Sequence, residues 1–409
     1  MIYYFLGIKG SGMSALAQVL VQQGHIVIGA DNKNNYYTCK NLKNIKLESF
    51  KSMKLKKSYF YIIGNAYVNS NIGRYIKEMY PISMSYSEFI PYYFSSYNLT
   101  TVSGSHGKTT TTKMLSTILD NHSYIIGDGT GNGNSRNNLI LEACEYKNNF
   151  LNYKPDILLL LNIDYDHPDF FKNEEEYIEA FQKMVNQSKV IIANGDDKNI
   201  QKIKNERFIT FGMKSSNDII FTYKYDQGKM KIKIMDEEYL IPFIGEHFVY
   251  DFVGSCIVCK IKGKTKEDIS KMVYKLEYPK RRMEIKLRGD AVLLCDYAHH
   301  PTEIKSVYNS VSKMFPDRKI KCYFQPHTLS RSYKFKEEFK LSLSNFDEVN
   351  ILKTFTSVRE EENKGLEKEI LDFWGYDFVE NKDVIYNQCS NKIYLFLGAG
   401  DIYDLFEKL

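Results

Sequence analysis

Long apolar runs are missing from this chain. The stretch ILLLL at 157–161 is far too short to cross a bilayer, which takes about 20 apolar residues. The opening residues MIYYFLG lead straight into a strand pattern, without the basic stretch that begins a secretory leader. A cytoplasmic protein with no membrane insertion is expected. Charge of one sign is missing too, since 55 Lys and Arg against 50 Asp and Glu leave a net +5 over 409 residues. The one basic cluster, KSMKLKKS at 51–58, reads as a solvated helix or turn, so no nucleic-acid partner is expected. Cysteine is scarce and odd in number, seven in all, which fits a reducing compartment. Cys256 and Cys259 alone have the C-x-x-C spacing. Lacking a second such pair, and set in the apolar DFVGSCIVCKI, they read as helix core instead of zinc ligands. The sequence holds no internal repeat and no low-complexity linker. The acidic REEEN at 359–363 reads as a solvated face.

What is present is a globular composition, 43% hydrophobic and 26% charged, in a chain long enough for two or three domains. Strand and helix patterns alternate from IYYFLG through GMSALAQVLVQQ to HIVIGAD and YFYIIGNA, the rhythm of a parallel sheet. A second alternation begins at LTTVSGSHGKTTTTKMLSTIL and includes DILLLLNI (156–163), which has no polar alternation and should be buried on both faces. Between about 207 and 244 short alternating segments predict antiparallel strands at an edge, and a third alternation runs from AVLLCDYA to KIYLFLGAGDIYDLF. The fold class is therefore α/β, three units in series at 1–97, 98–278 and 279–409.

Two glycine turns carry chemistry. Gly104-Ser105-His106-Gly107-Lys108-Thr109, followed by Thr110, is a shortened P-loop, with Val102 where a first glycine would stand. Backbone N–H groups of the turn and the helix N-terminus after it can surround phosphate oxygens; Lys108 would reach the outer phosphates and Thr109 would put a hydroxyl on Mg²⁺. The earlier turn Gly7-Ile8-Lys9-Gly10-Ser11-Gly12, with Met13 opening the helix and Asp31 ending the next strand, is Rossmann-like without the regular glycine spacing. It either binds a diphosphate or serves close packing. Asp31 would take ribose hydroxyls or cap a helix.

Seven motifs in order, GIKGSGMS, GSHGKTTTT, EACEY, NIDYDHPD, CDYAHHPTEI, FQPHTLSR and FLGAGDI, cover almost the whole chain and resemble the Mur ligases. The resemblance implies a Rossmann-like domain for a UDP-sugar, a P-loop ATPase-like domain with a parallel sheet plus antiparallel edge strands, and a Rossmann-like domain for an amino acid. It implies ATP and Mg²⁺ as cofactors, and ligation of L-alanine to the lactyl carboxylate of UDP-N-acetylmuramate through an acyl phosphate and a tetrahedral intermediate. Two cradles then serve two ligands, with Gly7, Gly10, Ser11, Gly12, Met13 and Asp31 at the UDP-sugar and Gly104 to Thr110 at ATP.

By resemblance, Thr109, Glu142 and His167 hold the metal, while His247, Arg282 and Asp296 reach ATP, with Arg281 an equal choice for Arg282. Tyr297, His299 and Arg331 face the amino acid, Arg331 pairing with its carboxylate. Lys108, His167, His299 and Arg331 form the expected catalytic set. Four departures matter. Cys144 replaces an aspartate, Thr328 replaces a second arginine, and Phe248 replaces an adenine-reading asparagine, leaving Asp251 as the nearest acceptor. Phe181 or Gln182 stands where some relatives have a carbamylated lysine, with Lys183 out of place, so no carbamate is expected. The alternatives are a murein-peptide recycling ligase on the same UDP-sugar, a folate-polyglutamate ligase, a nucleotide-regulated binding protein that does not ligate, and an NAD-dependent dehydrogenase. The first glycine unit disfavours the folate enzyme and the P-loop disfavours the dehydrogenase. The paired motifs DYAHHP and FQPHTLSR argue against a simple switch.

Overall fold

A computed structural model of the chain describes all residues except 33–36, 227, 356–361 and 385, and the side chain of Lys382. Arg359 to Glu361 of the acidic stretch thus lie outside the described residues. Among the described residues the strands form three sheets. In the first, β1 (Ile2–Leu6), β2 (Ile26–Asp31), β3 (Lys46–Ser49), β4 (Phe60–Ile63) and β5 (Ser83–Ser85) run parallel in the order β3-β2-β1-β4-β5. Its helices are α1 (Ser11–Gln22), α2 (Asn71–Met79) and α3 (Tyr86–Tyr93).

The second sheet holds β6 (Asn98–Ser103), β7 (Ser123–Ile125), β8 (Gly131–Asn132), β9 (Asn138–Glu142), β10 (Ile157–Leu160), β11 (Val190–Asn194) and β12 (Phe208–Gly212). It continues with β13 (Ile219–Asp226), β14 (Lys229–Ile234) and β15 (Glu237–Ile241), in the order β15-β14-β13-β12-β11-β10-β6-β9-β7-β8. β10 lies between β6 and β11, parallel to both and buried at every residue, as its unbroken apolar run requires. The antiparallel reading of 207–244 holds for β13 to β15 only; β12 pairs with β11 and β13 in parallel. The connection from β11 to β12 spans 195–207, long enough for a crossover. β14 and β15, by contrast, turn back on each other through Met235-Asp236. Four helices, α4 (Lys108–Ile118), α5 (Glu174–Asn186), α6 (Glu246–Ile261) and α7 (Lys266–Val273), accompany this sheet.

The third sheet contains β16 (Glu284–Arg288), β17 (Ala291–Asp296), β18 (Lys319–Phe324), β19 (Glu348–Ile351), β20 (Asp377–Phe378) and β21 (Lys392–Leu397), in the order β16-β17-β21-β18-β19-β20. Only β16 runs antiparallel to its neighbour. Its helices are α8 (Pro301–Met314), α9 (Leu329–Lys334), α10 (Lys336–Leu343), α11 (Lys364–Trp374) and α12 (Ile402–Lys408).

The three units do not bury separate interiors. One apolar cluster joins Val102, Leu159 and Phe252 of the second unit to Val307, Leu294 and Trp374 of the third. Another joins Phe5, Leu16 and Val19 of the first to Leu139, Phe150 and Phe181 of the second. Helix α6 explains the first junction: Val249, Phe252, Val253, Cys256, Ile257 and Cys259 are buried around its circumference. A helix apolar all round needs cover on every side. The sheet supplies one side, where a side chain at Gly254 would strike Leu159 and Phe211, and α8 supplies another. Cys256 and Cys259 sit in that core, as their apolar setting predicts.

Candidate active site

β6 ends at Ser103 and α4 begins at Lys108, so the turn between them is short and its backbone unusual. Gly104 has φ +141° and Gly107 φ +82°, and a Cβ at Gly107 would stand 2.5 Å from Asp251 Oδ1. Both positions need glycine. Asn162, just past β10, fixes the turn: its side-chain oxygen accepts from the His106 N–H at 2.8 Å and its amide donates to the His106 carbonyl at 3.1 Å. Its carbonyl accepts from the Ser105 N–H at 3.1 Å. No side chain caps α4 at Gly107, which leaves the first N–H groups of the helix for an anion.

Lys108 folds back over this turn. Its ammonium donates to the carbonyls of Gly104 and Ser105 and lies 3.0 Å from Glu145 Oε2. Burial works against the charge, but Glu145 and Glu142 outweigh it and hold the ammonium above its ordinary pKa. Glu145 feels the reciprocal balance: burial opposes ionisation, while Lys108 and His167 bring its carboxyl down to about 2. Glu142, at the end of β9, accepts from Thr109 Oγ1 at 3.0 Å and from the Gly127 N–H at 2.6 Å. These two oxygen-bearing groups side by side fit a hard dication such as Mg²⁺, which takes oxygen ligands. His167 contacts two other carboxylates. Its Nε2 lies 3.4 Å from Glu145 Oε1 and 3.7 Å from Asp166 Oδ2, and its Nδ1 is buried without a hydrogen bond.

Beside the turn a cavity of about 610 Å³ opens between the second and third units. His106, Gly107 and Thr110 border it from the turn, His247, Phe248 and Asp251 from α6, and Arg282, Asp296 and Glu303 from the third unit. His247 Nδ1 is 2.7 Å from Ser306 Oγ, and burial reinforced by Arg282 lowers its pKa to about 3, so the ring is neutral. The Phe248 ring lies tilted against His247 at 3.8 Å between ring centres and is otherwise packed against Phe243 and Tyr278. Burial pushes the Asp251 carboxyl up to about 8, and its Oδ2 has no hydrogen-bond partner. Asp296 accepts from the N–H groups of Met283 at 2.9 Å and Ala298 at 2.8 Å.

The paired arginines diverge. Arg282 borders the cavity, with Nη1 3.5 Å from Glu303 Oε1 and 3.6 Å from Asp296 Oδ1. Arg281 turns to the opposite side, donating to the Gly400 carbonyl at 2.6 Å and lying over the rings of Tyr37, Tyr297 and Tyr403. Tyr297 is thereby held between two guanidinium groups. His299 Nδ1 contacts the Tyr297 carbonyl at 3.0 Å, and burial lowers the ring's pKa to about 3.

Arg331 is 3% exposed and already paired. Its Nε and Nη2 donate to Asp166 at 2.8 and 3.1 Å, and its Nη1 donates to the His327 carbonyl at 3.2 Å. In this structure the guanidinium is thus shared with Asp166 and is not free in the site. Lys183 lies on the solvent face of α5, 3.1 Å from Glu179, while Phe181 is buried.

In the first unit, α1 starts at Ser11 with Gly10 as an N-cap that makes no side-chain hydrogen bond. A Cβ at Gly7 would stand 2.5 Å from the Tyr67 ring and one at Gly12 3.0 Å from Tyr86, so a side chain at either position would press on a neighbouring ring. Met13 is buried. Asp31 is occupied locally, accepting from the N–H groups of Lys9 at 2.7 Å and Asn32 at 2.8 Å and from the Tyr67 hydroxyl at 3.3 Å. The sequence reading passed over the run Gly127-Asp128-Gly129-Thr130-Gly131-Asn132-Gly133. It presses against α1, where Gln18 donates to the Gly129 carbonyl at 2.8 Å and a Cβ at Gly131 would stand 2.0 Å from the Ala15 carbonyl. Four glycines in seven residues are the signal for such a close approach. The same run supplies the Gly127 N–H to Glu142 and so links the two glycine turns.

Three family models match in succession: Mur ligase family, catalytic domain, over residues 2–75; Mur ligase middle domain over 131–259; and Mur ligase, glutamate ligase domain, over 281–398. Together they span more than three quarters of the chain. Among solved structures, the UDP-N-acetylmuramate–alanine ligase of Thermotoga maritima is 21% identical with a TM-score of 0.81, the match covering 100% of this chain and 98% of that one. A murein peptide ligase of Psychrobacter arcticus is 18% identical with a TM-score of 0.70, covering 100% and 98%. A pseudomurein peptide ligase type C of Methanothermus fervidus is 16% identical with a TM-score of 0.65, covering 100% and 99%. At these identities the likeness shows a shared fold.

Proposed function

The chain belongs to the Mur ligase family, and we propose that within it the protein joins L-alanine to the lactyl carboxylate of UDP-N-acetylmuramate at the expense of ATP. The observation that carries this reading is the cluster of Lys108, Thr109 and Glu142 at the uncapped start of α4, beside a cavity that His106, Gly107 and Thr110 border from the same stretch and Arg282 and Asp296 line from the third unit. A carboxylate is a poor acyl donor, so it is first phosphorylated, and alanine's amine then displaces phosphate through a tetrahedral intermediate. For the first step the chain supplies position and charge. The turn amides hold the phosphates, Lys108 meets the charge that develops on the transferred group, and Asp296 and His247 hold the rest of the nucleotide. Mg²⁺ on Thr109 and Glu142 would neutralise phosphate charge. The N-terminal turn and α1 take the UDP-sugar's diphosphate, and Tyr297 and His299 border the place of the amino acid. Among the described residues no helix is long and apolar enough to cross a membrane, and the substrates expected are soluble molecules of the cytoplasm.

Incubation with ATP, Mg²⁺, UDP-N-acetylmuramate and L-alanine should release phosphate only when both acceptor substrates are present. Vigorous ATP hydrolysis with neither would rule out the ligase and favour a nucleotide switch. Replacing L-alanine by a tripeptide should abolish turnover; faster release with the tripeptide would move the protein to the recycling reaction.

A further expectation concerns the base. Phe248 offers a ring but no amide to the cavity, and an amide pairing with adenine is worth about 1–3 kcal/mol of discrimination where it has been calibrated, on DNA. The ratio of kcat/KM for ATP over GTP should therefore be only about 10–100. A ratio above about 1,000 would show that another group reads adenine, and Asp251→Ala would test whether it is Asp251.

A further inference from the structure

Three partly or fully buried groups from two units meet beside the phosphate turn, and the chemistry above uses only one of them, and that one only through its backbone. His106 stands in the turn, Asp164 follows β10, and His300 sits at the start of α8. His106 Nε2 lies 2.9 Å and His300 Nδ1 3.3 Å from the same atom, Asp164 Oδ2. One ligand atom from each residue falls within 4.8 Å of the other two. His300 is 4% exposed, yet neither of its ring nitrogens makes a hydrogen bond. A buried imidazole without a partner calls for one. The Asp164 oxygen is near enough to be that partner but lies off the line a hydrogen bond needs.

We propose that His106, Asp164 and His300 form a binding site for a transition-metal dication of the zinc type, distinct from the Thr109–Glu142 oxygens. Two imidazoles and one carboxylate suit zinc, whereas magnesium prefers an all-oxygen shell. Three protein ligands leave one position open, and His106 and Asp164 both border the cavity, which gives an ion a path in. His106 must surrender a proton as the ion arrives. The ring lies between Asp164 and Glu303, whose nearest oxygens are 2.9 and 3.4 Å from its two nitrogens. Glu303 keeps Arg282 and His299 as neighbours when the proton leaves. Because two ligands come from the second unit and one from the third, occupancy ties the units together and immobilises the phosphate turn. Zinc at this site inhibits turnover.

Titration of the full-length, nucleotide-free protein with Co²⁺ tests the site, since cobalt in a four-coordinate setting absorbs strongly in the visible. One equivalent should produce these bands, Zn²⁺ should abolish them, and excess Mg²⁺ should not. His300→Ala should weaken Zn²⁺ binding at least about 100-fold, and Asp164→Asn at least about tenfold, while Glu142→Gln should leave it unchanged. Should His300→Ala fail to fold, His300→Gln carries the same expectation, and Zn²⁺ should raise the thermal midpoint of the wild-type chain but not of the variant. Absence of the bands, Zn²⁺ affinity unaltered in the His300 and Asp164 variants, or thiolate charge-transfer absorption pointing to exposed Cys144 or Cys389 would each overturn the proposal.

Discussion

Lys108→Ala should lower kcat by about 10²–10³, or roughly 3–4 kcal/mol, the loss that follows removal of one preorganised donor aimed at developing charge. The geometry makes a second effect inseparable from the first. Lys108 is the ammonium beside Glu145, whose side chain is 1% exposed. Deleting one partner of a buried ion pair costs about 3–5 kcal/mol because the other charge stays behind. Lower turnover in the single variant could therefore reflect a loosened fold. Lys108→Ala combined with Glu145→Gln separates the two. The neutral amide removes the stranded charge, so thermal stability should largely return while phosphate release stays low. If turnover returns together with stability, or if the single variant loses less than tenfold, Lys108 does not act on the transferred group.

Acid should expose the same pair. Glu145 titrates at about 2 in the folded chain against about 4.3 when unfolded. A depressed folded value means that its stabilising contribution is complete above the unfolded pKa and is lost as the pH falls toward 2. Unfolding measured from pH 6 downward should show a slope below about pH 4 that Glu145→Gln reduces.

Features confined to one stretch of chain were legible before any coordinates. The turn at Gly104 to Lys108 needs a strand before it, a helix after it and glycine where φ is positive, and each is written within a dozen residues. The buried run at 157–160 and the three α/β alternations are local in the same sense. What the sequence hid is made by distance. Asp166 and Arg331 are 165 positions apart, and His106 meets Glu303 from opposite sides of a unit boundary. Nothing in either neighbourhood says that a carboxylate will take the guanidinium assigned to a substrate. Asp251 shows a related limit. Its neighbours in the chain are apolar, but only its position against Gly107 reveals a buried carboxyl with an unpartnered oxygen. Glu145 lies within EACEY, yet its partnership with Lys108 depends on how β9 and the turn are stacked.

The pair between Asp166 and Arg331 should be the strongest single tie between the second and third units. Both side chains are almost wholly buried and the contact is two-pronged, through Nε and Nη2. Burial opposes the charge on Asp166, but Arg331 outweighs it and holds the carboxyl well below its usual range. At neutral pH the carboxylate is therefore ionised, and either single change strands a charge. Asp166→Asn and Arg331→Gln should each destabilise by about 3–5 kcal/mol in urea unfolding. The double variant should cost less than the sum, with a coupling of about 2–3 kcal/mol. Arg331→Lys keeps the charge and loses the fork, so it should lower stability and, if Arg331 passes from Asp166 to the substrate during turnover, raise KM for alanine far more than KM for ATP. Asp166→Asn separates the two roles, because it frees the guanidinium without removing it. Transfer to alanine then predicts a lower KM for alanine in Asp166→Asn and a higher one in Arg331→Lys. Equal increases in both variants would leave Arg331 as a tie between units and place the amino acid's carboxylate elsewhere.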